Sequence, residues 1–137
     1  MFHPSSKGGS ELDAVTTSVS EIGVEKTRHK WEDHWMNAVM EEEWEWILNE
    51  GRVTTIRLPV EYFTLGPEWC KDTPFEAVGS VYENSWGFVK EFVRRCREWG
   101  VGVLIDFHAV YGGANGGAHS GSGSGKAELW GSKSNLE

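Results

Sequence analysis

The chain has 137 residues, 39% of them hydrophobic and 12% aromatic, which suffices for one packed domain and excludes global disorder. Its formal net charge of -8 argues against a nucleic-acid partner, whose phosphates call for a basic footprint, and mainly favours solubility. Two cysteines, Cys70 and Cys96, are too few for a disulfide scaffold and wrongly spaced for a zinc finger.

The opening segment MFHPSSKGGSELD is polar, with no apolar stretch of signal-peptide length. No run anywhere approaches the ~20 apolar residues of a membrane span, so no membrane partner is expected. These features predict a soluble protein and leave the compartment open: cytoplasmic, or secreted if the true start lies upstream. Residues 1–24 are expected to form an irregular arm, and residues 25–137 the domain.

Trp31 and Trp35, four apart within EKTRHKWEDHWMN, mark one face of a short helix from about Glu25 to Asn37. His34 beside them reads as a partly exposed helix histidine hydrogen-bonded to a neighbour, with a functional role as the alternative. A second helix is expected over Glu41 to Glu50, with Trp44, Ile47 and Leu48 on one side. The run Glu41, Glu42, Glu43, Glu45 would form its solvated face, and Gly51 a left-handed cap. Strand Val53 to Leu58 follows, β-branched and expected to be buried on both faces, with Pro59 as terminator. A long loop with exposed-looking aromatics then spans Glu61 to Ser80, and loops of that length are usually functional.

Tyr82, Trp86, Val89, Phe92, Val93, Cys96 and Trp99 recur at three and four residues, predicting a helix from about Val81 to Trp99, capped by Gly100. Cys96 on that helix should be a buried small hydrophobe. Strand Val101 to Phe107 is expected to return parallel to the first, completing a βαβ unit. A Gly/Ser-rich stretch without another strand follows. Eight tryptophans are more than packing requires; each is either core filling or a platform for the apolar face of a sugar.

The two strands end in polar side chains, which parallel sheets place at the carboxyl edge where active sites lie. Arg57 there needs a carboxylate or a ligand anion, and a structural ion pair with Asp106 is its plainest role. Asp106 and His108, two apart, share one side of their strand, as a hydrogen-bonded pair that is either structural or functional. Other chemistries fail on spacing. Around Gly125-Lys126, Ser120 and Ala127 stand where a phosphate-binding loop needs Gly and Ser or Thr. The dinucleotide fingerprint and the G-x-S-x-G elbow are both absent. His108 and His119 lack further close ligands, so no metal and no cofactor is expected. Glu61 stands beyond the first strand with no visible second carboxylate, although glycoside hydrolysis needs two.

The segments WEDHWMNAVMEEEWEWI, VTTIRLPVEYFTLGP, YENSWGFVKEFVRRCREWGVGVLIDFHAVYGGANGG and HSGSGSGKAELW resemble glycoside hydrolase family 5, in its fungal glucan 1,3-beta-glucosidase branch, over roughly Lys30 to Trp130. The resemblance implies an α/β chain forming part of a (β/α)8 TIM barrel, strands two and three with their flanking helices. It implies that Arg57 positions and charge-tunes the nucleophilic glutamate, that His108 hydrogen-bonds the sugar next to the scissile bond, and that Asn115 lines the pocket. Tyr62 and Phe63 match an aromatic pair that contacts sugar. Both catalytic glutamates of the family would lie on strands that these residues do not include. Departures from the family pattern are Glu61 and Arg52 where relatives carry glycine, and Met40 in place of a capping Thr. The expected function is therefore that of a segment of a retaining β-glucan hydrolase, inactive alone, with β-glucan or an oligosaccharide as ligand. The alternative is a noncatalytic carbohydrate-binding or interaction protein derived from the barrel, and exposed strand edges would favour self-association.

Overall fold

A computed structural model describes residues 9–136. Among them the chain is mixed α and β, with helices α1 (Glu11–Ile22), α2 (Val24–Met36), α3 (Glu41–Glu45) and α4 (Ser85–Glu98), and strands β1 (Thr55–Glu61) and β2 (Gly102–Ala109). The strands pair in parallel, Arg57 opposite Leu104 and Pro59 opposite Asp106, with a bulge between Val60 and Glu61. The expected βαβ unit is thus present. No helix among the described residues is long and apolar enough to cross a membrane.

The expectation of an irregular arm to residue 24 is corrected by α1, while residues 1–8 lie outside the described part. Ser10 starts the helix with a capping box: its Oγ accepts from the Asp13 backbone N–H at 3.2 Å, and the Asp13 carboxylate accepts from the Ser10 N–H at 3.3 Å. Ala14 and Val15 are fully buried, and Ser18 and Thr27 join their hydroxyls at 3.0 Å between α1 and α2. Gly23, at φ 81, makes the sharp turn between the two helices. Helix α1 is therefore part of the body of the fold.

Helix α3 carries its glutamates outward and Trp44 inward, as expected, but continues as a wide turn over Trp46–Glu50 with Gly51 N–H bonded to Trp46 C=O at 2.8 Å. Gly51 is right-handed, at φ -71. The left-handed position falls instead on Arg52, at φ 49. The wide turn adds one residue per turn, which moves the reversal one position on.

Strand β1 runs through Pro59 to Glu61 instead of stopping. Each strand of a two-stranded sheet is an edge, where a proline costs no ladder bond on the open side. For the same reason the expected burial on both faces is absent. Arg57 and Pro59 are exposed on β1, and Leu104, Ile105 and Phe107 are 59%, 43% and 49% exposed on β2.

The loop after β1 is three short 3₁₀ turns, Tyr62–Leu65, Pro67–Cys70 and Glu76–Tyr82, and α4 begins at Ser85, not at Val81. Three residues per turn in a 3₁₀ helix reproduces the i, i+3 apolar spacing of an α-helix, so the stripe reads as continuous across the break. Ser85 anchors the junction, its hydroxyl sharing the carbonyls of Tyr82 at 2.6 Å and Thr64 at 2.7 Å. Gly100 caps the far end at φ 71, as expected.

Two apolar clusters result. The larger gathers Ala14, Val15, Trp31, Tyr62, Phe63, Phe75, Val81 and Tyr82, with Phe63 stacked on Phe75 at 3.9 Å. The smaller holds Trp44, Cys96 and Val101 under α3 and α4. Cys70 and Cys96 are both free and buried. Only Trp31 and Trp44 of the tryptophans are buried, whereas Trp46, Trp69, Trp86, Trp99 and Trp130 are exposed.

Candidate functional site

Arg57, from the first half of β1, meets Asp106 and His108 from the carboxyl half of β2; because β1 runs on to Glu61, the expectation that Arg57 stands at its strand's end is corrected. Asp106 Oδ2 lies 2.6 Å from Arg57 Nη2 and 2.8 Å from His108 Nδ1, and the two nitrogens are 3.2 Å apart. A carboxylate only accepts, so Nδ1 carries the proton and donates to Asp106. Arg57 Nη2 is then a second donor to the same oxygen, and the approach of the two donors is tolerated by the negative charge between them. This fixes the His108 tautomer with Nε2 as the free nitrogen, an acceptor for a ligand hydroxyl while the ring is neutral. The His108 hydrogen bond, followed by the Arg57 charge and hydrogen bond, holds the Asp106 carboxyl below the usual carboxylate range.

Arg57 is not the buried cation expected from its strand. Its side chain is 56% exposed, so the ion pair is a positioning contact of small energetic worth. Asp106 and His108 are each 29% exposed, accessible to a ligand yet held in place. The His119 ring stands 5.5 Å from that of His108, folded over Gly117, where a side chain would overlap it. Asn115 lies in the same loop, exposed, and its Oδ1 accepts from Gly117 N–H at 2.8 Å. The structure thus collects Arg57, Asp106, His108 and His119, with Asn115 shaping the loop that carries His119. Among the described residues no group of three or more potential metal ligands occurs.

Tyr62 and Phe63 are elsewhere. At 5% and 3% exposure they form the aromatic centre of the larger core, with ring centroids 5.2 Å apart, so the expectation of exposed aromatics in this loop holds for Trp69 and is corrected for these two. Burial pushes the Tyr62 phenol up to about 12. Phe75, from the same loop, is buried too.

Glu61, expected to be unpartnered, has two neighbours. Its carboxylate accepts from the Thr64 hydroxyl at 3.0 Å, and Glu11 approaches from α1. Burial is the main cause that raises its carboxyl above the ordinary value; Thr64 opposes this, Glu11 adds to it, and His108 opposes it. Glu11 in turn accepts from two buried donors, Trp31 Nε1 at 2.6 Å and the Tyr82 hydroxyl at 2.7 Å. Glu11 and Glu61 border a cavity of about 360 Å³ that Trp31, His34, Trp35 and Phe88 also line. Glu11, Tyr111 and the position of His119 escaped the sequence reading. For Glu11 the Ser10-x-x-Asp13 cap was the available signal.

This geometry meets an independent similarity. Over 125 residues, 90% of the chain, it is 40% identical to glucan 1,3-beta-glucosidase 3 of Schizosaccharomyces pombe, covering 27% of that protein. An uncharacterised glycosyl hydrolase of Saccharomyces cerevisiae is 32% identical over 88% of the chain and 25% of its own length. Glucan 1,3-beta-glucosidase D of Emericella nidulans is 28% identical over 86% of the chain and 13% of its own length. The chain spans about a quarter of the length of the first two. No family profile matches it. In class it is a glycosyl-hydrolase-like α/β sequence. More closely, it is similar to fungal glucan 1,3-beta-glucosidases.

Proposed function

We propose that this chain supplies the second and third strand–helix units of a family 5 (β/α)8 glycoside hydrolase acting on β-glucans. Its part is the sugar-positioning side of the site. The observation that carries the reading is the Arg57–Asp106–His108 contact on a parallel pair, with Asp106 and His108 toward the carboxyl end of β2, in a chain similar to glucan 1,3-beta-glucosidases. Parallel strands in such folds deliver their side chains to substrate at that end. His108, held by Asp106, offers Nε2 to a sugar hydroxyl. Arg57 places a positive charge where a neighbouring carboxylate would be kept ionised.

Retaining hydrolysis requires an acid/base and a nucleophile about 5 to 5.5 Å apart. The carboxylates near this edge are otherwise committed: Asp106 to Arg57 and His108, and Glu61 to Thr64. The catalytic pair belongs, in this reading, to residues outside the chain, with Asn115 lining the pocket. The buried Tyr62 and Phe63 act by shaping the loop beneath it.

The test is titration of the 137-residue chain with laminari-oligosaccharides, read by tryptophan fluorescence. A saturable change that His108→Ala and Arg57→Ala each weaken by about tenfold is expected, that being one or two hydrogen bonds lost. No saturable change for the parent chain refutes the reading, and glucose released from laminarin by the purified chain refutes the placement of its catalytic acids. The exposed Trp69, Trp99 and Trp130 and the open strand edges favour a second reading, a noncatalytic binding or self-associating protein. Sedimentation showing a concentration-dependent dimer would support that reading.

A further inference from the structure

The loop that follows β2 holds the chain's one Asn-Gly pair, Asn115-Gly116, and both residues are exposed. Asn115 Oδ1 accepts from the Gly117 N–H at 2.8 Å. A bond to the second residue onward folds the side chain back over the intervening peptide, so the Asn115 amide carbon is held over the Gly116 nitrogen. No side chain shields that nitrogen, and none would fit: a Cβ at Gly116 would meet the Gly125 carbonyl oxygen at 2.8 Å. The loop is also braced. Gly117 C=O accepts from the Ser120 N–H at 3.0 Å and from the Ser120 hydroxyl at 2.7 Å, while the Gly112 and Gly113 carbonyls accept from the Glu128 and Leu129 N–H groups at 2.9 Å and 3.2 Å. Gly112 and Gly113, at φ 72 and 75, permit that approach.

Such a loop carries the parts of a ring closure within itself. A backbone nitrogen one residue beyond an asparagine is the nucleophile that closes a five-membered imide, and holding it against the amide carbon supplies a proximity that an unfolded chain lacks. The Gly117 N–H is bonded to the oxygen on which negative charge develops, as an oxyanion donor must be. His119 is exposed, and its Nδ1, like Asn115 Oδ1, stands within 2.9 Å of the point that a Gly117 Cβ would occupy, a spacing that one water bridges. A proton can therefore pass from the nucleophile to the leaving group by way of the imidazole. Asn84 is exposed as well, but it is followed by Ser85 and its amide donates to Glu32 at 2.8 Å.

We propose that the folded loop deamidates itself at Asn115. The Gly116 nitrogen attacks Asn115 Cγ; the N–Cγ bond forms, the Cγ–Nδ2 bond breaks, and the Gly116 N–H proton passes through His119 to Nδ2, which departs as ammonia. Water then adds to either carbonyl of the imide and opens it, leaving a carboxylate at position 115 in the normal or the isomerised linkage. No electrons are exchanged, and water is the only co-reactant. The product adds one negative charge to the formal -8, and the isomerised linkage lengthens the loop backbone by one methylene. The modification thereby reshapes the segment that lays His119 against His108. This inference stands apart from the glucan reading.

Timed incubation of the 137-residue chain at neutral pH, with peptide masses and isoaspartate content read at each point, is the test. Position 115 should gain about one dalton roughly tenfold faster in the folded chain than in the same chain held unfolded in urea, while Asn84 shows no such acceleration. His119→Ala, at an exposed position, should melt like the parent, slow the reaction about tenfold and regain most of the rate when free imidazole is added. Asn115→Gln, whose longer side chain does not close the five-membered ring, should melt like the parent and stay unmodified. A folded chain that reacts no faster than the unfolded one overturns the inference. An undiminished rate in His119→Ala, or no rescue by imidazole, overturns the route through His119.

Discussion

Removal of the Glu11 carboxylate tests whether α1 is integral to the fold. One oxygen of Glu11 accepts from Trp31 Nε1 at 2.6 Å and from Tyr82 Oη at 2.7 Å, and these residues are 3% and 2% exposed. A hydrogen bond to a charged group contributes about 1.5 to 3 kcal/mol, and a buried donor left without a partner costs the upper part of that range. Two such bonds sum to about 3 to 6 kcal/mol. The adjoining 360 Å³ cavity admits water to the freed donors, and Glu61 loses a like-charged neighbour, so the lower end applies. Glu11→Ala should therefore cost about 3 kcal/mol, or about 12 °C in Tm for a domain of this size. Glu11→Gln retains an oxygen that can accept both bonds and should cost about 1 kcal/mol. Urea melts followed by tryptophan fluorescence, combined with Tyr82→Phe in a double-mutant cycle, should give a coupling of about 1 kcal/mol. Equal, sub-kcal effects of Ala and Gln with no coupling to Tyr82 would refute the reasoning.

Glu61 sets a pH dependence of defined sign. Its carboxyl is raised above the ordinary 4.5 by burial, so the folded chain holds this proton more tightly than the unfolded one. Its contribution to stability is full below the ordinary value and declines as pH rises through the raised one. Glu61→Gln should be more stable than the parent at pH 7 and show a flatter slope in urea midpoints between pH 4 and pH 7. Arg52, at φ 49, sits where L-residues are strained by about 1 to 2 kcal/mol. Arg52→Gly should stabilise by about 0.5 to 1 kcal/mol after the flexibility of glycine is deducted, and a loss of stability would show that the Arg52 side chain makes a compensating contact. Cys70 is 1% exposed, with its thiol pushed up by burial to about 11, and Cys96 is fully buried. An aromatic disulfide reagent at pH 8 should therefore react with neither in the folded chain and with both in urea; fast labelling of the native protein would contradict this.

The strands, their parallel pairing and the Arg57–Asp106–His108 contact were all legible from the sequence. Period-two placement of Asp106 and His108 near a strand end is a local signal, and the long Arg57 side chain reaches Asp106 from a register position two residues earlier on the neighbouring strand. The misread parts depended on non-local context. Ser10 and Asp13 form a capping box, but Gly8, Gly9 and Ser20 nearby suggested a loop, and only packing on Trp31 and Tyr82 makes α1 a stable helix. Tyr62, Phe63 and Phe75 stand among prolines and glycines that mark a surface loop, yet they meet one another and Tyr82 in the interior. Val53 to Leu58 has the composition of a strand covered on both faces, whereas the described residues supply cover for only part of it. Proximity of Glu11 and Glu61, from opposite ends of a long sequence separation, has no sequence signature at all.

The division of the interior into two clusters bears on how the molecule opens. The smaller cluster has few members, and the indole N–H of Trp44 has no acceptor within it. A part of the fold held so lightly should exchange its amide hydrogens before α1 and α2, which pack on the larger cluster. Ile56 of β1 and Val103 of β2 pack against the same cluster, so its opening is felt by the strand pair as well as by α3.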